Sequence, residues 1–153
     1  MEQTDKFLNF AVGDESFGVP LLTVREVIGM PEVTPIPQAP QHVVGIMNLR
    51  GQIITIFDLR SCLKIQSKNK DTATVIICEM PFGQMGLIVD HVSSVLSANQ
   101  GSLSEVPPGS KASHQEFITN IYTRDKEMIL MLDVEKLVSR EAKLISQVNS
   151  KVA

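Results

Sequence analysis

Aromatic residues and positive charge are both scarce in this 153-residue sequence. It contains no Trp, one Tyr and six Phe, so that aromatic residues make up 5% of the chain. The formal net charge is -3 and the pI is about 5.6. A protein that binds single-stranded nucleic acid needs a basic groove and aromatic side chains on which bases stack. The composition therefore argues against a small-barrel nucleic-acid-binding protein and favours proteins as partners.

Residues that bind metals or act as catalysts lack the spacing that such chemistry requires. The two cysteines, Cys62 and Cys78, form no Cys-x-x-Cys motif, and the three histidines are far apart in the sequence. No glycine-rich loop with a following Lys, the mark of a phosphate-binding site, is present. A thiol or metal enzyme built on either cysteine would need a neighbouring His or cation. We therefore expect no disulfide, no metal, no cofactor and no catalytic activity.

Long apolar segments are absent as well. No uninterrupted apolar run approaches the roughly 20 residues of a membrane-spanning helix, and the N-terminus has no signal segment. Hydrophobic residues make up 43% of the chain and charged residues 20%, which is typical of a soluble globular protein. These features predict one cytoplasmic domain over residues 1–153 that is not inserted into a membrane and that buries its own core.

A predicted β-hairpin is the most informative feature that the sequence does contain. Two runs rich in apolar and β-branched residues, Val43 to Leu49 and Ile53 to Phe57, flank a short polar break. Gly51 in that break can take the positive φ of a tight turn. Strict alternation is missing from both runs, which predicts strands that are buried on both faces. Arg50 at the tip, beside Asn48, is either a solvated turn arginine or a functional side chain.

Similar patterns predict further strands and little helix. Short apolar runs separated by turn residues recur along the chain, which indicates an all-β barrel or sandwich. A helical turn is predicted to begin at Pro20, with an ambiguous second half, and Asp58 and Asp133 are predicted to cap a short and a longer helix. The other predicted strands are Phe7 to Val12, Ser16 to Val19, Thr72 to Glu79, Met85 to Val89, Val92 to Leu96, Ile118 to Thr123 and Met128 to Leu132.

Polar and proline-rich segments mark the predicted loops. Four prolines exclude regular helix between Pro31 and Pro40, where Val33 and Ile36 are expected to anchor an ordered loop. The polar run Gln66 to Asp71 is predicted to divide the domain into two sub-barrels. Residues 97–116 are predicted to form a long loop, and residues 147–153 a frayed tail.

Six blocks of the sequence follow, in order, the motifs of one known family. Gly45 to Gly51 matches Gly-x-x-Asn-Leu-Arg-Gly, and an apolar strand that ends in Asp58-Leu59-Arg60 comes next. The other blocks are Phe7 to Val19, Val24 to Val27, Thr34 to Pro40, Gly86 to Val92 and Ile129 to Asp133. Together they resemble the CheW-like domain family from about residue 6 to about residue 146.

This resemblance implies a fold and a function. The implied fold is all-β with minor α: two packed, SH3-like, five-stranded β-barrels plus a C-terminal helix. The implied function is that of a non-catalytic chemotaxis adaptor, which couples the cytoplasmic tips of methyl-accepting chemoreceptors to the regulatory CheW-like domain of the histidine kinase CheA. Such an adaptor is a monomer in isolation and joins a higher-order array at the membrane through its partners. An adaptor of a non-flagellar pathway, such as one that controls pili, is the alternative.

The resemblance also implies which residues contact partners. Arg50 and the segment with Val24 and Glu26 belong to the family's partner-binding surfaces. Gly45 is expected to let a partner or a neighbouring strand approach closely. A core role is equally open for the two apolar strand residues in the set. The predicted partner-binding residues are Val24, Glu26, Gly45, Asn48, Leu49, Arg50, Val75 and Ile76.

Overall fold

β-strands make up most of the chain. The computed structural model describes residues 6–39, 42–66, 73–81, 83–106 and 117–137. Within these ranges there are eleven strands and one complete short helix, and a further helix begins at residue 134. The strands are β1 Lys6–Val12, β2 Glu15–Pro20, β3 Val24–Gly29, β4 Val43–Leu49, β5 Gln52–Asp58, β6 Thr74–Met80, β7 Gly83–Val89, β8 His91–Ser97, β9 Ser102–Ser104, β10 Ile118–Arg124 and β11 Glu127–Leu132, and the helix is α1 Leu59–Leu63. The prediction of an all-β fold with minor α is confirmed.

The strands form two sheets, and the chain starts in the first sheet, builds the second and then returns to the first. The six-stranded sheet has the order β8-β1-β2-β11-β10-β9, and the five-stranded sheet has the order β3-β6-β7-β5-β4. The central part of the chain thus builds one sheet, and its two ends build the other.

The prediction that Gln66 to Asp71 divides two sub-barrels is wrong. β3 pairs with β6 and β5 pairs with β7, and both pairings join strands from opposite sides of this polar run. The β5–β7 pairing is parallel, and parallel strands cannot be joined by a tight turn. β6 and β7 follow the polar run and β3, β4 and β5 precede it, so segments from both sides of the run build the same five-stranded sheet. Apart from Gln66, the residues of the run lie outside the described ranges.

Three clusters of buried side chains explain why some strands read as continuous apolar runs. The largest cluster contains residues of both sheets, among them Phe10 and Ile76, and so joins them. A second lies in the five-stranded sheet and a third in the six-stranded sheet. In β6, Val75 and Ile77 belong to the second cluster, whereas Ile76 and Cys78 belong to the largest. Because both faces of β6 are buried, apolar and polar residues do not alternate along it.

The predicted central hairpin is present, but its outer strand is not buried on both faces. β4 and β5 pair as an antiparallel hairpin with Leu49 opposite Gln52. β4 is an edge strand, and the exposed fraction is 37% for Val44 and 63% for Ile53. Within β5, Ile54 and Ile56 are fully buried. The prediction of burial on both faces is therefore wrong for the outer face of this hairpin, which no described element covers.

The first predicted helical turn and the predicted loops differ in extent from the expectation. The turn after Pro20 is a 3-10 turn, Leu21–Thr23, and the ambiguous second half is strand β3. The expected long loop over residues 97–116 contains a second 3-10 turn, Ala98–Gln100, and β9, while residues 107–116 lie outside the described ranges. The helix capped by Asp133 is described only to Leu137, so the expected frayed tail also lies outside.

Val33 and Ile36 act as anchors of the proline-rich loop, as predicted. Val33 packs against the cluster in the five-stranded sheet, and Ile36 packs against the largest cluster. The loop is therefore fastened to both cores.

Carboxylates that follow strands act as caps or tie distant segments together. Asp58 Oδ1 accepts a hydrogen bond from the Arg60 backbone N–H at 3.0 Å, and Asp133 Oδ1 accepts one from the Lys136 N–H at 3.0 Å, which confirms both predicted caps. Asp90, only 4% exposed, accepts instead from the distant Gly13 N–H at 2.7 Å. It thereby holds the β1–β2 turn against the junction of β7 and β8.

Candidate functional site

An exposed ion pair joins the two edges of the five-stranded sheet. Glu26 on β3 and Arg50 in the β4–β5 turn contact each other, and β3 and β4 are the first and last strands of that sheet. The sheet must therefore curve until its edges approach, as in a barrel. The Arg50 side chain is 70% exposed and that of Glu26 is 30% exposed. Exposed pairs of this kind contribute about 0–1 kcal/mol to stability, so the fold has little need of this one.

The backbone of the β4–β5 turn presents Arg50 at a conformational cost. The turn has two residues, and both have positive φ, 52° for Arg50 and 87° for Gly51. Hairpin turns of this type favour Asn, Asp or Gly at both positions, and a left-handed conformation costs other residues roughly 1–2 kcal/mol. Asn48 Oδ1 accepts a hydrogen bond from the Gly51 N–H at 2.9 Å and so fixes the turn. Local turn preference therefore does not explain an arginine at this position.

The positive φ of Arg50 is a feature that sequence reasoning missed. A hairpin loop of only two residues with Gly in the second position requires positive φ at both positions. The predicted break also included Gln52, which in fact belongs to β5.

The ion pair stands in an open, polar groove of about 600 Å³. Four of the predicted residues line it: Val24, Glu26, Leu49 and Arg50. Three further lining residues were missed: Arg25, Gln52 and Gln84. The structure therefore brings together residues that are up to 60 positions apart in the sequence, counted from Val24 to Gln84.

Arg25 is placed in the groove by an irregularity in β3. The register of the β3–β6 pairing shifts between Val24 and Glu26, so that Arg25 lies outside the regular ladder. Neighbouring residues of a regular strand point to opposite faces, whereas a bulge can turn a side chain toward its neighbours' side. Arg25 Nε lies 3.3 Å from Glu79 Oε2. The groove therefore carries two exposed arginines, each beside one carboxylate.

Gly45 makes room for another part of the same chain. A Cβ atom at this position would overlap the carbonyl oxygen of Thr34 and the side chain of Val33. Thr34 and Ile46 exchange two backbone hydrogen bonds, of 2.8 and 2.9 Å, directly beside it. Of the two expectations for Gly45, approach of a neighbouring segment is therefore the one that the structure shows.

Val75 and Ile76 have to be removed from the predicted surface. Both side chains are 0% exposed, the first in the cluster of the five-stranded sheet and the second in the largest cluster. Since β6 is buried on both faces, neither side chain can touch a partner unless the domain unfolds. Their role is in the core, which is the alternative that the sequence had left open.

Cys78 lies in an apolar core and not in surroundings that would activate a thiol. Cys78 is fully buried, Cys62 is partly buried, and neither forms a disulfide. Burial raises the pKa of the Cys78 thiol from 9.0 to about 12. Among the described residues, no group of three or more His, Cys, Asp or Glu side chains could hold a metal ion. None of the helices in those ranges is long and apolar enough to cross a membrane.

The buried thiol predicts a loss of stability at alkaline pH. Above about pH 9 the unfolded chain releases the Cys78 proton while the folded protein keeps it, so the free energy of unfolding falls as pH rises toward 12. The expected slope from this group is about 1.4 kcal/mol per pH unit within that window. Chemical denaturation of the wild type and of Cys78→Val at several pH values above 9 measures it. An equal slope in both proteins would contradict the prediction.

Comparison with known proteins identifies the fold and the family. A family model described as CheW-like domain matches residues 6–142. The chain belongs to the CheW-like domain family. It is 36% identical over 138 residues to the chemotaxis protein CheW of Klebsiella aerogenes, covering 89% of this chain and 82% of that one. It is 31% identical over 141 residues to the probable chemotaxis protein CheW of Rhizobium etli, covering 91% of each.

A solved structure agrees with these sequence relatives. The scaffolding protein TtCheW from Thermoanaerobacter tengcongensis superposes with a TM-score of 0.77 at 30% identity, covering 88% of this chain and 87% of that one. The two sheets thus correspond to two SH3-like barrel subdomains, with the short β9 as a sixth strand of the first. CheW-like proteins are non-catalytic adaptors of chemotaxis, so this chain is a scaffold and not an enzyme.

Proposed function

We propose that this chain couples the cytoplasmic tips of methyl-accepting chemoreceptors to the regulatory CheW-like domain of CheA. The observation that carries the proposal is the exposed Arg50, held in a costly turn conformation beside Glu26 although the pair adds little stability. A partner that covers this arginine would remove it from water. Arg is over-represented among the few residues that dominate binding energy, so Arg50 can act as an interface anchor.

The proposed contact residues are those that line the groove or shape its turn. Val24, Glu26, Leu49 and Arg50 would touch the partner, and Asn48 would hold the Arg50 turn in place. Gly45 would act indirectly, because its missing side chain lets the proline-rich loop lie against β4. The Arg50 groove would hold one partner, and the other partner would need a surface outside this groove.

The proposed adaptor is a monomer in isolation that works on the cytoplasmic side of the membrane through its partners. Transient signalling contacts are usually modest in area, so each binary affinity is expected to be weak. In an array, each component makes several such weak contacts at once. Each contact raises the effective concentration for the next one, so the assembly is stronger than any single contact.

Simultaneous binding of kinase and receptor is the testable core of this proposal. A coupling protein must hold both partners, so adding receptor tip to a preformed complex of this chain with the CheA regulatory domain should give a ternary complex. Analytical ultracentrifugation with separately labelled components measures its mass. Displacement of the kinase domain by the receptor tip would show a single shared surface and would contradict coupling.

A further inference from the structure

Arg25 is a second cation in the groove that surrounds Arg50. The charged residues that line this groove are Arg25, Arg50 and Glu26. Arg50 contacts Glu26, whereas the carboxylate beside Arg25 belongs to Glu79, which is not among the lining residues. Positive charge therefore exceeds negative charge along the groove wall, although the whole chain has a formal net charge of -3.

The backbone of β3 is irregular at the point where Arg25 enters the groove. Val24 pairs with Cys78 and Glu26 pairs with Ile77, so β3 has one residue more than β6 over this step. This arrangement is a β-bulge, which interrupts the ladder and is common beside functional sites. Arg25 and Glu26 are adjacent and yet line the same groove, whereas a regular strand would turn one of them to the opposite face. The bulge thus supplies the groove with an additional cation.

The Arg25 guanidinium is only partly engaged by its own chain. Its Nε lies 3.3 Å from Glu79 Oε2, and within the described part of the chain Arg25 forms no other ion pair and no side-chain hydrogen bond. The two side chains are 60% and 53% exposed, so the pair contributes little to stability. A guanidinium has five N–H donors, and those of Arg25 are therefore available to a partner.

We propose that this groove receives an acidic side chain, Asp or Glu, from the protein partner that also contacts Arg50, and that Arg25 binds its carboxylate. The forked N–H donors of a guanidinium match the two oxygens of a carboxylate. A partner that covers the groove also excludes water, which strengthens such a charged hydrogen bond. A basic side chain would instead meet a wall on which positive charge is in excess. This inference rests on the proposed adaptor function and makes Arg25 a residue that selects the partner by charge.

Arg25→Gln and Glu79→Gln are the decisive variants, because each removes the same ion pair within the chain. Arg25→Gln also removes the cation, so it should weaken binding about tenfold or more to the same partner that Arg50→Glu affects. Glu79→Gln leaves the cation in place and should keep or raise the affinity. Calorimetric titration with the CheA regulatory domain and, separately, with a receptor tip measures both. An equal loss of affinity in the two variants would overturn the proposal, because Arg25 would then act through its pair with Glu79.

Salt dependence is a readout that a purely structural role of Arg25 would not change. Salt screens the attraction between the charges of two proteins. The affinity of the wild type should therefore fall more steeply with increasing NaCl concentration than the affinity of Arg25→Gln. Equal salt dependence of the two proteins would contradict a charged contact at Arg25.

Charge reversal on both proteins identifies the acidic side chain. Arg25→Glu should weaken binding more than Arg25→Gln does, because it places two carboxylates opposite each other. Changing the exposed Asp and Glu residues of the partner to Lys, one at a time, should restore binding to Arg25→Glu at one position, and rescue at none would overturn the proposal. If the wild type binds neither partner, the adaptor function fails and this inference fails with it. If the wild type binds and Arg25→Gln binds equally well, only this inference fails.

Discussion

Arg50→Glu is expected to weaken binding to one of the two partners by about 30-fold or more while leaving the fold intact. An interface anchor of this kind is worth about 2 kcal/mol or more, and charge reversal also places two carboxylates side by side at Glu26. The stability change should stay within about 1 kcal/mol, because the lost pair is exposed. Calorimetric titration with the CheA regulatory domain and, separately, with a receptor tip measures the affinity, and thermal unfolding measures the stability.

A matched control and a charge swap make this prediction specific. Lys126→Glu reverses an exposed cation in the β10–β11 turn of the other sheet and should bind both partners normally. The double variant Glu26→Arg/Arg50→Glu restores an ion pair within the chain but presents the wrong charges to a partner, so its binding should remain weak. If Arg50→Glu unfolds the protein, or if the swap restores binding, Arg50 has a structural role and is not a contact residue.

Gly45→Val is expected to destabilise the domain by about 3–5 kcal/mol. The new side chain would overlap the Thr34 carbonyl, and overpacking typically costs about 1–3 kcal/mol. It would also break the two hydrogen bonds between Thr34 and Ile46, each worth about 1 kcal/mol. Because the obstacle is backbone, a rotamer change cannot relieve it. Denaturant unfolding gives the free energy, with the midpoint shifting while the slope stays constant.

Gly29→Val is the matched control for this substitution. Gly29 ends β3 in the same sheet, and a Cβ atom there has no neighbour within 4 Å. A valine at that position should change the stability by no more than about 0.5 kcal/mol. Equal effects at both positions would show that the overlap at Thr34 is relieved by movement of the proline-rich loop, and Gly45 would then become available as a direct contact for a partner.

The local elements and the family could be predicted from the amino-acid sequence alone. Short apolar runs between turn residues located nearly every strand, and Asp58 and Asp133 were recognised as caps, because turns and caps depend on residues that are close in the chain. The six ordered blocks pointed to the CheW-like family, and the family model matches residues 6–142. For the same reason the Arg50 turn could be placed from the sequence, since a hairpin turn involves only adjacent residues.

Which segments contact one another could not be predicted without the three-dimensional structure. The parallel β5–β7 pairing, which crosses the expected division near Gln66, has no local sequence signal, because parallel strands are joined through a long crossover. Burial of Val75 and Ile76 depends on a second core lying on each face of β6. The Glu26–Arg50 pair exists because a curved sheet brings its two edges together. Such contacts depend on packing between residues that are far apart in the chain. The hydrophobic periodicity of one strand does not show which other strand packs against it.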